Sequence, residues 1–395
     1  MTLSKRPIYL DHNATTPVRS EVIEAMIPYL KETFGNPSSF HQFGQEAKRG
    51  MEEAREKVAH CIHSNPSEIV FTGGGTAANN LAIKGIVHAH RKKGNHIITP
   101  SIEHLAVLNP CKLLEQQGYQ VTYLSVDRYG MVDPDDVKSA IRPDTILITV
   151  MHANNEVGTI QPIGEISEIA RNHAVPFHTD AIQSLGKIPV DVKDLGVDLL
   201  SISAHKICGP KGVGALYIRK GIELEPLLHG GHHEMNRRAG TENVPAIVGF
   251  GRAAELSQIE LEDRSRIEAT ETLRDYFLER IRQDLRDVRL NGHPVKRLPN
   301  TLNVSFEFIS GESLAINLDL HGIAVAIGSA CTSGAIHPSH VLQAMGVPPA
   351  LAQGSLRFSL GRGTTRDEVD LTVEALRAIV DRLRSEPSRR AETVS

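Results

Sequence analysis

The sequence predicts an α/β fold built on a largely parallel sheet, and three observations carry that expectation. Short apolar runs rich in β-branched residues and Leu recur as far as about residue 218, as the buried strands of a doubly covered sheet require. Amphipathic segments separate them, and that alternation brings successive strands into parallel register. Two of the runs are followed within three residues by a charged residue, Asp180 and Lys206, at the strand ends where such sheets gather ligands.

In chain order, Thr16 followed by Pro17 opens a helix through Leu30, with Val18, Val22, Met26 and Leu30 on one stripe. Strands are expected at Ile69–Thr72, His96–Thr99, Val121–Ser125, Thr145–Met151, Val175–Thr179, Leu199–Ser203 and Ala215–Ile218. Gly73-Gly74-Gly75-Thr76 forms a tight loop between the first of these strands and a helix over Ala77–Gly85. Past Gly251 the texture changes. Arg252 to Arg289 is charge-rich with helical period, and Leu298–Phe308 reads as the edge of a second sheet. Thr365 and Glu368 form a capping box that opens a final helix carrying Val369, Val373, Leu376, Ile379, Val380 and Leu383. The chain therefore divides near residue 250 into a large domain (1–250) and a smaller one (251–395), with a polar tail from Glu386 onward.

With 395 residues, the chain exceeds the usual single-core domain. A formal net charge of -4 offers no footprint for nucleic acid. No apolar run reaches the roughly 18 residues that span a bilayer. Met1 to Pro7 is not followed by the apolar stretch of a secretory leader, so a cytoplasmic location is expected. Cys61, Cys111, Cys208 and Cys331 are scattered and form no CxxC pair, which argues against both a disulfide framework and a zinc ribbon. His229, His232, His233 and Glu234 cluster in one loop, but they lack the helical two-histidine spacing of a catalytic zinc site, and no metal is expected.

The glycine loop offers free N–H groups and a positive helix end to an anion. It lacks the Gly-Lys-Ser/Thr ending of a nucleotide loop and the spacing of a dinucleotide fingerprint, so a purely structural turn accounts for it equally well. Asp180 and Lys206 are more informative together. A pyridine cofactor carried through its aldehyde needs a lysine, and a carboxylate opposite the ring nitrogen keeps the ring protonated. A displaced lysine can then serve as a base. The competing explanation is a strand-end salt bridge with a solvated lysine. Gln183, Ser203 and His205 argue against it, because polar side chains clustered at strand ends serve bulk packing poorly.

At these residues the chain resembles the cysteine desulfurases of the NifS/IscS group, within the class V aminotransferase-like, fold-type-I pyridoxal-phosphate enzymes. The resemblance runs from Tyr9-Leu-Asp-His-Asn-Ala-Thr-Thr16 to Arg357-Phe-Ser-Leu360. It includes Phe34-Gly-Asn-Pro-Ser38, Glu103-His104, Met151-His-Ala-Asn-Asn-Glu156 and Arg238-Ala-Gly-Thr-Glu-Asn243. Gly328-Ser-Ala-Cys331-Thr-Ser-Gly334 is specific for the desulfurase branch. The resemblance implies a large domain with a mostly parallel mixed sheet, a smaller α+β domain, and an N-terminal arm (1–16) packed with the latter.

It also implies roles. Lys206 would carry pyridoxal 5'-phosphate, Asp180 would face the ring nitrogen, Gln183 the ring hydroxyl and His104 the ring face. Gly75, Thr76, Ser203 and His205 would hold the phosphate, and Thr241 would reach the phosphate of the partner subunit, which implies a homodimer. Asn155, Arg357 and Asn13 would hold the substrate carboxylate. Cys331 would take the sulfur of free L-cysteine and pass it, as a persulfide, to an acceptor such as an iron–sulfur scaffold. The small residues around Cys331 suit a loop that swings between two places, and a neighbouring cation or proton acceptor would help a thiol whose ordinary pKa is about 8.5. His337 and His340 are near in sequence. Ala77, His233, Met235 and Cys208 depart from the usual family residues. Three rivals stay open: another transaminase or lyase of the superfamily, a selenocysteine lyase, and a non-catalytic protein on an enzyme frame.

Overall fold

The computed structural model describes residues 7–327, 331–332, 335–336 and 338–385. From the N-terminus it places β1 (Ile8–Tyr9), α1 (Ser20–Lys31), α2 (Gln42–Cys61), β2 (Ile69–Thr72), α3 (Gly75–His90), β3 (His96–Pro100), α4 (Leu105–Gln116) and β4 (Gln120–Leu124). These are followed by α5 (Pro134–Ala140), β5 (Thr145–Thr149), α6 (Ile163–Asn172), β6 (Phe177–Asp180), α7 (Val192–Leu195), β7 (Leu199–Ser203) and β8 (Gly214–Ile218). Seven strands form one sheet in the order β2-β8-β7-β6-β5-β3-β4. Its pairings from β7 through β4 are parallel, and β8 runs antiparallel to both β7 and β2.

The strands are apolar on both faces because both faces are covered. In β7, Leu199 packs toward α3 and α4 with Leu81, Ile83 and Leu216, while Leu200 and Ile202 pack on the opposite side with Val58, Phe71, Phe177 and Phe250. Burying each such side chain fully stabilises the fold by about 1.5–3 kcal/mol. Helix α1 begins later than Thr16-Pro17 predicts. The Thr16 hydroxyl donates to the His205 carbonyl (2.8 Å) and accepts from the Cys208 N–H (2.8 Å), so it ties the N-terminal segment to the β7 end instead of capping a helix. Val22 is buried as expected, but Leu30 at the end of the stripe is exposed.

The second half comprises α8 (Val244–Asp263), α9 (Ser265–Asp284), β9 (Val288–Asn291), β10 (Thr301–Phe306), α10 (Gly311–Leu320), β11 (Ile323–Ala324), β12 (Ala326–Ile327), β13 (Cys331–Thr332) and β14 (Ala335–Ile336). It ends with α11 (His340–Ala344), α12 (Pro349–Gln353), β15 (Ser355–Ser359) and α13 (Arg366–Ser385). A second sheet runs β12-β15-β10-β9. The Leu298–Phe308 run therefore supplies an interior strand, not an edge, and all six residues of β10 are buried. The charge-rich stretch after Arg252 is two helices, separated at Arg264 by a left-handed residue (φ 57°). Ile8 and Leu10 pack into the core of this second sheet, and β1 pairs in parallel with β11. Among the described residues, no helix is long and apolar enough to cross a membrane.

Candidate active site

The parallel strands bring several loop starts to one end of the sheet, and a cavity of about 260 Å³ opens there. Its lining includes Gly75, Thr76, His104, Asn155, Asp180, Gln183, Ser203, His205 and Lys206. Nine residues singled out from the sequence are thus brought together. Asn13, Arg357 and Thr241 are not part of that lining.

Asp180 is the last residue of β6 and is buried. Its Oδ1 accepts from the Ile182 N–H (2.9 Å) and its Oδ2 from Asn79 Nδ2 (2.6 Å). Burial pushes its pKa up, and these donors, together with His104 and Lys206, pull it back. A carboxylate so placed calls for a further cationic partner in the cavity. Lys206 follows β7 by one helical turn. Its Nζ donates to the carbonyls of Asn13 and Ala14, the latter at 2.7 Å. Burial, reinforced by the Arg357 guanidinium, lowers its pKa to about 8. That is a suitable range for an amine that must shed and take up protons.

The anion end of the cavity is equally specific. α3 starts at Gly75 after a left-handed Gly74 (φ 136°). A Cβ on Gly75 would fall 2.2 Å from Ile182 Cδ1, so any larger residue here would have to push the Ile182 side chain aside. The Ser203 hydroxyl is buried and lacks a hydrogen-bond partner, which marks a place waiting for a polar ligand. His205 Nδ1 lies 3.2 Å from Thr15 Oγ1, and burial lowers its pKa to about 4. At the N-cap of α4, His104 Nδ1 accepts from the Ala106 N–H (3.0 Å), leaving the rest of the ring to the cavity.

Asn13 is buried and its side chain is fully engaged. Nδ2 donates to Thr301 Oγ1 (2.8 Å) and the Asn155 carbonyl (3.3 Å), while Oδ1 accepts from Lys187 and Asn300. Arg357 donates to the Asn155 carbonyl (3.0 Å) and pairs with Asp11 (2.7 Å), with its Nε buried and unpartnered. Thr241 is exposed. Cys331 heads β13, opposite Ile336 of β14. The loop expected to swing includes residues 328–330 and 333–334, which lie outside the described residues, as does His337. His340 is placed with Nε2 2.9 Å from the Glu103 carbonyl.

Three groups escaped the sequence reading, and a fourth was given another role. Asn79 holds Asp180, and its only signal was a poor helix former on a buried helix face. Lys187 donates to Gln183 Oε1 (2.8 Å) and fixes that amide, whose Nε2 donates to the Asn13 carbonyl (2.9 Å). Glu103 is buried, and its surroundings push its pKa well above the usual carboxylate value, burial first and Asp180 second. Glu234, counted with the loop histidines as a potential ligand, is instead spent on Arg55, and among the described residues no group of His, Cys, Asp and Glu could hold a metal.

Comparison with known proteins places this site in a family. The model for "Aminotransferase class-V" matches residues 8–372. A "Cysteine desulfurase IscS" from Dictyoglomus turgidum is 56% identical over 381 residues, covering 96% of either chain. Another from Methanosarcina thermophila is 54% identical over 98% of this chain and 95% of its own. The chain belongs to the cysteine desulfurases of the class-V aminotransferase family. Among solved structures, a "NIFS-LIKE PROTEIN" superimposes with a TM-score of 0.89 at 41% identity, covering 95% of this chain and 99% of that one. "SspA in complex with cysteine" gives 0.80 at 40% identity over 91% and 100%. The fold is thus that of the fold-type-I enzymes, as the sequence leads one to expect of a desulfurase.

Proposed function

We infer that this desulfurase removes the sulfur of free L-cysteine, leaves L-alanine, and holds the sulfur as a persulfide on Cys331. The observation that carries the reading is the joint placement of Lys206, Asp180 and the unpartnered Ser203 hydroxyl around one cavity. That set suits pyridoxal 5'-phosphate. Gly75, Thr76, Ser203 and His205 would hold its phosphate, Lys206 its aldehyde carbon, Asp180 its ring nitrogen, Gln183 its hydroxyl and His104 its ring face. When bound, the cofactor supplies a carbonyl that condenses with amines and a ring that accepts electrons as a Cα proton leaves.

The chain's own residues do the rest. Asn155 and Arg357 orient the substrate carboxylate, while Asn13, its side chain engaged outside the cavity, steadies the Asn155 carbonyl. Lys206, with its lowered pKa, takes the Cα proton and holds it close to the site. The Cys331 thiolate attacks the substrate sulfur. The new S–S bond forms as the Cβ–S bond breaks, and the bonding pair stays with the carbon fragment that becomes alanine. The persulfide then passes to an acceptor protein, for which an iron–sulfur scaffold is the class the resemblance implies.

A homodimer completes the reading. Ile23, Ile27, Leu30, Phe34, Phe40 and Phe43 form exposed apolar surface around α1 and the start of α2, with Phe40 97% exposed, which suits a covered interface. Exposed Thr241 suits a residue serving the partner's phosphate. The division into domains 1–250 and 251–395 is supported by the separate cores of the two sheets, although Ala253, Ala254 and Leu256 still pack with the first, and a further cluster joins Ile102, Met151 and Val157 to Val341, Leu342 and Met345 across the boundary.

Two substitutions test the roles. Cys331→Ala should keep the visible absorbance of bound cofactor but form neither persulfide nor alanine catalytically; unchanged turnover would remove Cys331 from the reaction. Lys206→Ala should lose that absorbance. Assaying alanine against keto acid separates desulfurase from transaminase activity.

A further inference from the structure

Between His229 and Glu242 a single residue is buried, and it is charged: Glu234. Its Oε1 receives Arg55 Nη2 (2.7 Å) and its Oε2 receives Arg55 Nη1 (2.9 Å), with both partners 5% exposed. Oε2 also accepts the N–H of Phe71 (2.7 Å) in β2, two residues before the glycine turn. Arg55 Nη1 donates to the Ile69 carbonyl (2.8 Å), and the guanidinium stacks 4.8 Å over the Phe71 ring. One buried pair therefore joins α2, the strand feeding the phosphate turn, and the segment that leads to Thr241.

That segment turns through three consecutive left-handed residues, Glu234, Met235 and Asn236, at φ 45°, 56° and 64°. L-residues rarely adopt this conformation, and such backbone persists only where surrounding contacts over-determine it. Here the inward contacts come from Glu234. The outer ties are among the segment's own residues, His232 to Asn236 (2.6 Å) and the Gly240 N–H to His233 (3.2 Å). A buried ion pair adds little net stability, and its best-attested use is to fix register.

We propose that Arg55 and Glu234 form a positioning pair that sets two phosphate contacts at once, the glycine turn of their own subunit and, through residues 235–241, the Thr241 hydroxyl offered to the partner subunit. This deepens the dimer reading above and rests on it. A perturbation of the pair should therefore be felt at both sites of the dimer.

The test uses hybrid dimers purified with two affinity tags, in which one subunit carries Lys206→Ala and is spectroscopically silent. Visible absorbance then reports pyridoxal phosphate binding at the other, intact site. Glu234→Gln in the silent subunit should weaken binding at the intact site about tenfold, as loss of an outer-shell partner does elsewhere. Placed in the intact subunit it should also weaken that subunit's own site. Met235→Gly, which relieves the left-handed turn and leaves the pair untouched, should retain affinity. If Thr241→Val in the silent subunit weakens the intact site but Glu234→Gln does not, the proposal is overturned and the dimer reading stands. If Thr241→Val has no effect across the interface, the dimer reading falls, and the proposal with it. Should Glu234→Gln fail to assemble, Arg55→Lys, which retains charge without the fork, goes through the same pairings with the same expectations.

Discussion

Lys206 sits where two opposing demands meet. As a cation it is held most strongly by the carbonyls of Asn13 and Ala14, but it must be a free amine to react with an aldehyde. Burial and Arg357 resolve the conflict by lowering its pKa to about 8. The charged form dominates below that value and the free amine above it, so capture of pyridoxal phosphate by the cofactor-free protein should accelerate with pH through a midpoint near 8 and level off above about 9. Stopped-flow absorbance measures this, and a midpoint at the ordinary lysine value would refute the assignment. Arg357→Gln removes a lowering charge and should move the midpoint upward. Asp180 supplies the complementary test. Asn79→Ala removes the donor at its Oδ2, so the carboxyl pKa should rise further and cofactor affinity should fall roughly tenfold by equilibrium titration. Of these residues, Asp180, Lys206 and Ser203 were legible because strand ends announce themselves in sequence. Asn79, Lys187 and Glu103 were not, because what gives them a role is a partner reached only through the fold, over 101 residues for the Asn79–Asp180 bond.

At the scale of elements, local signals worked where the decisive contacts are local. The capping box at the start of α13 forms as read: the Thr365 N–H donates to Glu368 Oε2 (2.8 Å) and the Glu368 N–H to Thr365 Oγ1 (3.2 Å). Thr365→Ala should therefore cost about 1 kcal/mol, measurable as a lower urea midpoint with unchanged slope. The start of α1 was misread because Thr16 is claimed by His205 and Cys208, nearly two hundred residues away in the chain, and tertiary bonds outrank a local capping preference. The edge assignment of β10 failed for a related reason. Its alternating Thr-Leu-Asn-Val-Ser-Phe reads as covered on one face only, and the partner β15 that makes it interior comes after α10, α11 and α12 in the chain. The Arg264 break between α8 and α9 had no glycine or proline to signal it.

The whole molecule adds a property that no single element has, namely histidines sealed into the interior of the sheet. His178 lies on β6 at the centre, between Thr149 Oγ1 on β5 (2.8 Å) and Ser201 Oγ on β7 (2.9 Å), and burial lowers its pKa to about 3. His152, just beyond β5, is lowered to about 4 by the same cause. In the unfolded chain both return to about 6.5. Below that pH the unfolded state takes up protons that the native state refuses, so the native state loses ground as pH falls from about 6.5 toward 4, at up to roughly 1.4 kcal/mol per pH unit for each histidine. Above 6.5 neither state binds these protons and the contribution is flat. Because β6 is held on both sides by parallel neighbours, His178 can gain its proton only when the sheet as a whole opens, so the dependence belongs to global unfolding. Urea unfolding followed by circular dichroism should show free energy dropping across pH 6.5 to 4.5. His178→Gln should start lower at pH 7, since its bonds to Thr149 and Ser201 are disturbed, but follow a shallower slope by about one proton. An equal slope in the variant would mean that the sheet interior admits protons without unfolding.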